Sequence, residues 1–393
     1  MDNANVGVSS APDVAPPISQ PIPFLDLKAQ FTSIREEILR AVEGVFESQR
    51  FILGQEVKQF EEEVAAVLDV PYAVGCASGS DALYLALLAK EIGAGDEVIT
   101  TPFTFGATAG AIARTGATPV FVDIRRDTFN IDTTLIEAAI SSKTKAIIPI
   151  HLFGLAADME PINKLAKQHN LVVVEDAAQA IGGTYQRRPL GGWGDFGCFS
   201  FFPSKNLGCA GDGGLVTTRD GSMADRLRLL RAHGSKHKYH YEIIGTNSRL
   251  DALQAAILRV KLKHLGRWQK ARVEHAALYT RLFAAQRLDE FVVLPSTPAG
   301  FTHVFNQFSI RCADRDPLVT YLADRGIPTE IYYPEPLHLQ PAFAYLGYRP
   351  GSMPQSEAAC EEVLALPVYP ELRPEDQERV VSTIAEFYRG DRY

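Results

Sequence analysis

Between residues 72 and 177 the chain repeats one alternation: a short continuous apolar run, then a stretch with helical apolar spacing. The runs are "YAVGCA" (72–77), "EVITT" (97–101), "PVFVDI" (119–124), "KAIIPIHL" (145–152) and "LVVVEDA" (171–177). The intervening helical stretches are "DALYLALLAKEI" (81–92), "ATAGAIART" (107–115) and "EPINKLAKQHN" (160–170). Strands that are apolar at every position are buried on both faces. With helices as the connectors, they must lie largely parallel in a covered sheet. The predicted fold is therefore α/β, and its ligands should meet the carboxyl ends of the strands.

Two amphipathic helices, at 34–47 and 56–69, precede this unit. From about residue 250 the rhythm changes. Residues 251–285 read as one long helix, 303–312 as a half-buried strand, and 317–326 and 374–388 as helices. The expectation is a large domain over 22–255 and a smaller α+β domain over 256–393. Residues 1–21, rich in Pro, Ser, Ala, Val and Asn, are expected to be a disordered tail.

Composition narrows the function. A formal net charge of −8 argues against nucleic-acid binding. No run of eighteen apolar residues suggests a membrane span, and the N-terminus lacks a signal-peptide pattern. Five cysteines without a Cys-x-x-Cys pair offer no zinc or disulfide framework and fit a reducing cytoplasm.

Asp176 closes the strand 171–177, so it sits at the ligand edge of the sheet. Lys205 follows in "FFPSKNLGCAGDGG" (201–214), between an aromatic run and a glycine-rich turn. The pair allows two readings. One is an ion pair between connecting loops. The other is a pyridoxal phosphate site, where the lysine amine bonds the cofactor and the carboxylate keeps its pyridine nitrogen protonated. That second reading also needs a phosphate cradle, which "ASGSDAL" (77–83) offers through Gly79 and Ser80 ahead of a helix starting near Asp81. Ser80 could equally be a plain helix cap. An aromatic face is needed too, and "TPFTFGAT" (101–108) holds Phe103 and Phe105, either of which could instead be core. A P-loop is excluded, because Lys205 precedes its glycines.

Taken together, "ASGSDALYLAL", "TPFTFGAT", "VVVEDAAQAIGG", "GDFGCFSFFPSKNLGCAGDGG" and "IGTNSRLDALQAAILRVKL" resemble the DegT/StrS family of nucleotide-sugar aminotransferases, in the family's order over about residues 22–390. The resemblance implies a fold type I, aspartate-aminotransferase-like enzyme that uses pyridoxal 5′-phosphate, with pyridoxamine 5′-phosphate as the form between half-reactions. It implies that Lys205 is the Schiff-base lysine and proton shuttle. Asp176 would partner the pyridine nitrogen, Gln179 the phenolic oxygen, and Ser200 the phosphate together with Gly79 and Ser80. Phe105 would stack on the ring. Asn247 would reach the phosphate of a neighbouring subunit, which implies an obligate homodimer. Arg249, Tyr333 and His338 would contact substrate. The implied reaction moves an amino group from L-glutamate to a dTDP- or UDP-linked keto sugar, with the 3-keto branch nearest and the 4-keto branch its competitor. Dehydratases of the family carry histidine in place of the lysine, and some relatives have borne regulatory labels. The run of Arg226, Arg228, Arg231, Lys236 and Lys238 reads either as a solvated surface or as a diphosphate-binding loop.

Overall fold

A computed structural model describes residues 21–390. The expected N-terminal tail therefore lies, apart from its last residue, outside the described residues. Helix α1 (Leu27–Ser48) and helix α2 (Gln55–Val67) come first. Asp26 caps α1 by accepting the Ala29 N–H, which starts the helix seven residues before the apolar spacing announces it.

The central sheet follows. Its strands are β1 (Tyr72–Cys76), β2 (Glu97–Thr100), β3 (Thr118–Phe121), β4 (Thr144–Ile147), β5 (Val172–Asp176), β6 (Phe196–Ser200) and β7 (Gly214–Thr218). They lie in the order β1-β7-β6-β5-β4-β2-β3. Only β7 runs against the others, pairing antiparallel with both β1 and β6. The five apolar runs expected as strands all enter this sheet, and β6 and β7 join them. Helices α3 (Gly79–Ala89), α4 (Ala107–Arg114), α5 (Met159–His169), α6 (Gly221–Leu230) and α7 (Ala252–Leu262) cover it.

Alternation along each strand divides the core between the two faces. Val74, Val174, Phe196 and Val216 pack with Leu83 and Leu87 of α3 and Leu227 of α6. Val173 and Ile147 point the other way, onto Met159 and Ile162 of α5. Phe199 and Leu215 pack with Phe60 and Val64 of α2 and Leu258 of α7.

The expected single helix over 251–285 is two helices. It breaks at Lys263–His264, between α7 and α8 (Leu265–Ala285). The expected division at residue 255 falls inside α7. That helix packs through Ile257 and Val260 on Ile34 and Ile38 of α1. The crossing element is α8. Its Trp268 joins the α1–α7 cluster, whereas its Ala276, Tyr279 and Phe283 join a C-terminal core.

That C-terminal core surrounds a small antiparallel sheet of β8 (Val292–Val293), β9 (Phe308–Cys312) and β10 (Val363–Leu366). Helices α9 (Arg315–Ala323), α10 (Pro354–Glu362) and α11 (Pro374–Arg389) complete it. The expected strand over 303–312 begins only at Phe308, because Phe305 takes a positive φ of 45° and bends the chain. Among the described residues no helix is long and apolar enough to cross a membrane.

Candidate active site

A cavity of about 480 Å³ opens at the carboxyl edge of the sheet, and the segments that follow β1, β2, β4, β5 and β6 converge on it. Among its lining residues are Gly79, Ser80, Phe105, Asp176, Gln179, Ser200, Lys205 and Tyr333.

Lys205 sits on the loop that turns β6 back into β7. The loop is tight: Lys205 N–H donates to Phe202 O at 2.9 Å, and Cys209 N–H to Phe201 O at 2.8 Å. Asn206 pins it across the molecule, donating to Val304 O at 3.0 Å. The glycines here serve the backbone's own closeness rather than a ligand's approach. A Cβ on Gly208 would lie 2.3 Å from Pro203 O, and one on Gly214 would lie 2.2 Å from Ser78 O. Burial pulls the Lys205 amine down to about 8 against the opposing pull of the Asp176 charge, although the side chain keeps one side on the cavity. Among the described residues no salt bridge joins Lys205 and Asp176, yet both line the cavity and each feels the other's charge.

Asp176 is 6% exposed at the end of β5. Its Oδ2 accepts from Thr108 Oγ1 at 2.7 Å and its Oδ1 from Ala178 N–H at 3.2 Å. Desolvation raises its carboxyl above the usual range. Thr108, Ala178, Lys205 and His151 pull it back in that order. Its neighbour Glu175 faces away into the core. There it accepts from His151 Nε2 and from the N–H groups of Gly191, Trp193 and Gly194, at 2.7–3.0 Å. Ala157 N–H donates to His151 Nδ1 at 3.0 Å, which leaves the ring proton on Nε2.

The cap of α3 is Ser78, not Ser80: Ser78 Oγ accepts the Asp81 N–H at 3.1 Å. The helix therefore starts two residues earlier than expected, and Gly79 and Ser80 form its first turn. Among the described residues their N–H groups have no protein acceptor, and both residues line the cavity. Ser200 stands beside this turn. A Cβ on Gly79 would fall 2.6 Å from Ser200 Cβ, so only glycine lets the hydroxyl and the free N–H groups share one small space.

Of the two phenylalanines, Phe103 is fully buried against Phe129 and Phe153. Phe105 is 63% exposed over the cavity, with Tyr333 at 6.5 Å between ring centres. Gln179 is oriented by its neighbours: Oε1 accepts from Phe153 N–H at 2.6 Å and Nε2 donates to Tyr333 Oη at 3.3 Å.

Other expected residues lie elsewhere. His338 is 1% exposed, packs beside Tyr348 and bonds Glu357 at 3.0 Å, outside the cavity. Asn247 is exposed and Arg249 half-buried, and neither lines this chain's cavity. The expected basic loop is largely paired off. Arg226 meets Glu91, Arg228 meets Asp225 and Lys236 meets Glu242. Arg231 is buried on Glu61 at 2.5 Å. Sequence reasoning overlooked Thr108, which lies three residues after Phe105 in the first turn of α4.

The site fits pyridoxal phosphate on this chain's own geometry. It combines a glycine-confined turn of free N–H groups, a buried carboxylate short of positive charge, and a desolvated amine. On a mostly parallel sheet with one reversed strand, these define a pyridoxal phosphate-dependent enzyme of fold type I. The chain belongs to the DegT/DnrJ/EryC1/StrS aminotransferase family, whose profile matches residues 32–385. It is 53% identical to a "pleiotropic regulatory protein" of Geobacillus stearothermophilus, over 94% of this chain and 99% of that one. It is 48% identical to a UDP-N-acetyl-3-dehydro-alpha-D-glucosamine 3-aminotransferase of Acidithiobacillus ferrooxidans, over 94% of this chain and 98% of that one. The crystal structure of S. venezuelae DesV in complex with a ketimine intermediate superposes with a TM-score of 0.92 at 44% identity, covering 95% of this chain and 100% of that one.

Proposed function

We propose that this chain is a sugar-nucleotide aminotransferase that moves the amino group of L-glutamate to a 3-keto sugar linked to UDP or dTDP. The observation that carries the reading is the desolvated Lys205 amine facing the same cavity as the buried Asp176 carboxylate. The 3-keto preference is supported by the A. ferrooxidans relative, whose name specifies a 3-dehydro sugar and a 3-amino product.

When bound, pyridoxal phosphate supplies the electron sink that lets an amino group leave one carbon skeleton and join another. The chain's own residues do the rest. The Gly79 and Ser80 N–H groups and the Ser200 hydroxyl bind the phosphate at the positive end of α3. Asp176 would hold a proton on the pyridine nitrogen, and its buried charge would gain a partner there. Gln179 keeps an Nε2–H for the phenolic oxygen, with its amide held by Phe153 and Tyr333. Phe105 covers one ring face. Lys205 would tether the cofactor through its amine, and once the donor's amino group had displaced it, the freed amine would take the proton from the donor's Cα as base and give it back as acid. An amine near 8 can be both base and acid close to neutral pH, which an ordinary lysine cannot.

The exposed Asn247 suits a residue that completes a partner subunit's site, so the active form is a homodimer with shared sites. The working compartment is the cytoplasm. The test is conversion of the cofactor to its pyridoxamine form by glutamate, followed by return on adding UDP- or dTDP-linked 3-keto and 4-keto sugars. Return with 3-keto sugars is expected. Return with 4-keto sugars alone overturns the regiochemistry. No conversion by glutamate overturns the activity and favours a regulatory role.

A further inference from the structure

The fold assigns each oxygen of Asp176 its own donor. Oδ1 accepts from Ala178 N–H, and Oδ2 from the Thr108 hydroxyl at 2.7 Å. A hydroxyl has one hydrogen but two lone pairs. With Thr108's hydrogen committed to the carboxylate, its contact with Thr104 Oγ1 at 3.4 Å can run only one way, with Thr104 as donor. The result is a one-directional chain, Thr104 to Thr108 to Asp176. Thr104 and Thr108 border the cavity but are only 3% and 1% exposed, so little water reaches these bonds. In such a medium successive hydrogen bonds polarise one another.

The chain answers a local difficulty. Burial works against a charge on Asp176, and Thr108 is the strongest of the influences that oppose it. The other groups facing the carboxylate are Lys205 and His151, which favour its charge, and Cys198 and Tyr333, which burial keeps neutral. Glu175, next in sequence, is engaged on the opposite face of the strand. Thr108 also lies three residues beyond Phe105 on the first turn of α4. One hydrogen bond therefore ties the segment carrying the ring-covering phenylalanine to the strand carrying the carboxylate.

We propose that Thr108 is a positioning residue for the transamination reaction. Its hydroxyl, backed by Thr104, holds the Asp176 carboxylate in place and favours its charged form, leaving lone pairs free for the pyridine nitrogen of the cofactor. The inference rests on the reading of Asp176 as the partner of that nitrogen, and extends it to the groups that set it.

The test uses 4′-deoxypyridoxine 5′-phosphate, which lacks the aldehyde and so binds without reacting at Lys205. Its affinity is measured calorimetrically on cofactor-free wild type, T108V, T108S, T104V and D176N between pH 5.5 and 8.5. A hydrogen bond to a charged group corresponds to about a tenfold loss or more, so T108V should bind about tenfold more weakly. Its acid-side fall in affinity should begin at higher pH than in wild type. T108S should restore both the affinity and the profile, and T104V should lose a few-fold. T108A replaces T108V if the valine variant does not fold. Wild-type affinity and pH profile in the hydroxyl-less variants, with D176N weakened, overturn the role of Thr108 alone. T108S as weak as T108V overturns it as well, since the hydroxyl is then not the agent. Unchanged binding by D176N overturns the underlying reading of Asp176.

Discussion

The lysine at the centre of the site should titrate far from an ordinary lysine, and the size of the effect follows from its burial. Desolvation takes the Lys205 amine from 10.5 to about 8 in the cofactor-free protein. At pH 8 about half of it is then neutral, against about 0.3% of an unperturbed lysine, a gain of roughly 150-fold in reactive amine. Competitive labelling with a trace of acetic anhydride, read by mass spectrometry at the Lys205 peptide across pH 6–11, measures this directly. The labelling midpoint should lie near 8.

The same shift sets a stability difference. The charged ammonium is what burial disfavours, so the cost is present below pH 8, shrinks as pH rises from 8, and is gone by about 10.5. Relative to K205M, cofactor-free wild type should be less stable at pH 7 by up to about 3 kcal/mol, with the gap closing by pH 10.5. Because one side of the chain meets cavity water, that figure is a ceiling. Denaturant unfolding of both proteins at pH 7 and pH 10 reads it. A labelling midpoint near 10.5, or a K205M difference that does not change with pH, refutes the reasoning: the amine would then be solvated, and the cavity would not be activating it.

Three further outcomes follow from individual contacts. G79A places a methyl 2.6 Å from Ser200 Cβ and should weaken pyridoxal phosphate binding more than tenfold while costing about 1–3 kcal/mol of stability, as spectral titration and denaturant unfolding together would show. R231M strands the buried Glu61 carboxylate and should destabilise the fold by about 3–5 kcal/mol in denaturant unfolding. E175Q loses part of a four-donor cradle behind the site. It should cost about 2 kcal/mol of stability yet leave cofactor affinity near wild type, in contrast to D176N one residue away.

Much of the site was legible because its groups lie at strand ends. Asp176 closes an apolar strand, and Lys205 precedes a glycine turn. A run of small residues at 77–80 comes straight after another strand. Such positions carry their own location, since a parallel sheet delivers every carboxyl strand end to one edge. Helix starts were less legible. Ser78 and Ser80 are equally good caps by type, and the choice of Ser78 rests on which hydroxyl reaches the Asp81 N–H. The long helix over 251–285 read as continuous because nothing in "KLKHLG" forbids helix. Its break is set by the change of partner, from α1 and α2 to the C-terminal core.

The sequence by itself determined the α/β class and the sheet edge at which Asp176 and Lys205 meet. Those follow from local patterning, with period, strand ends and glycine placement each readable in a short window. Only the tertiary structure decided which partner each polar group would have. It sent His338 to Glu357, Arg231 to Glu61 and Thr108 to Asp176, across separations of 19, 170 and 68 residues. It also parted Phe103 from Phe105, one into the core and one over the cavity. Hydrogen bonds and burial of that kind depend on where distant segments pack, and a one-dimensional pattern carries no record of it.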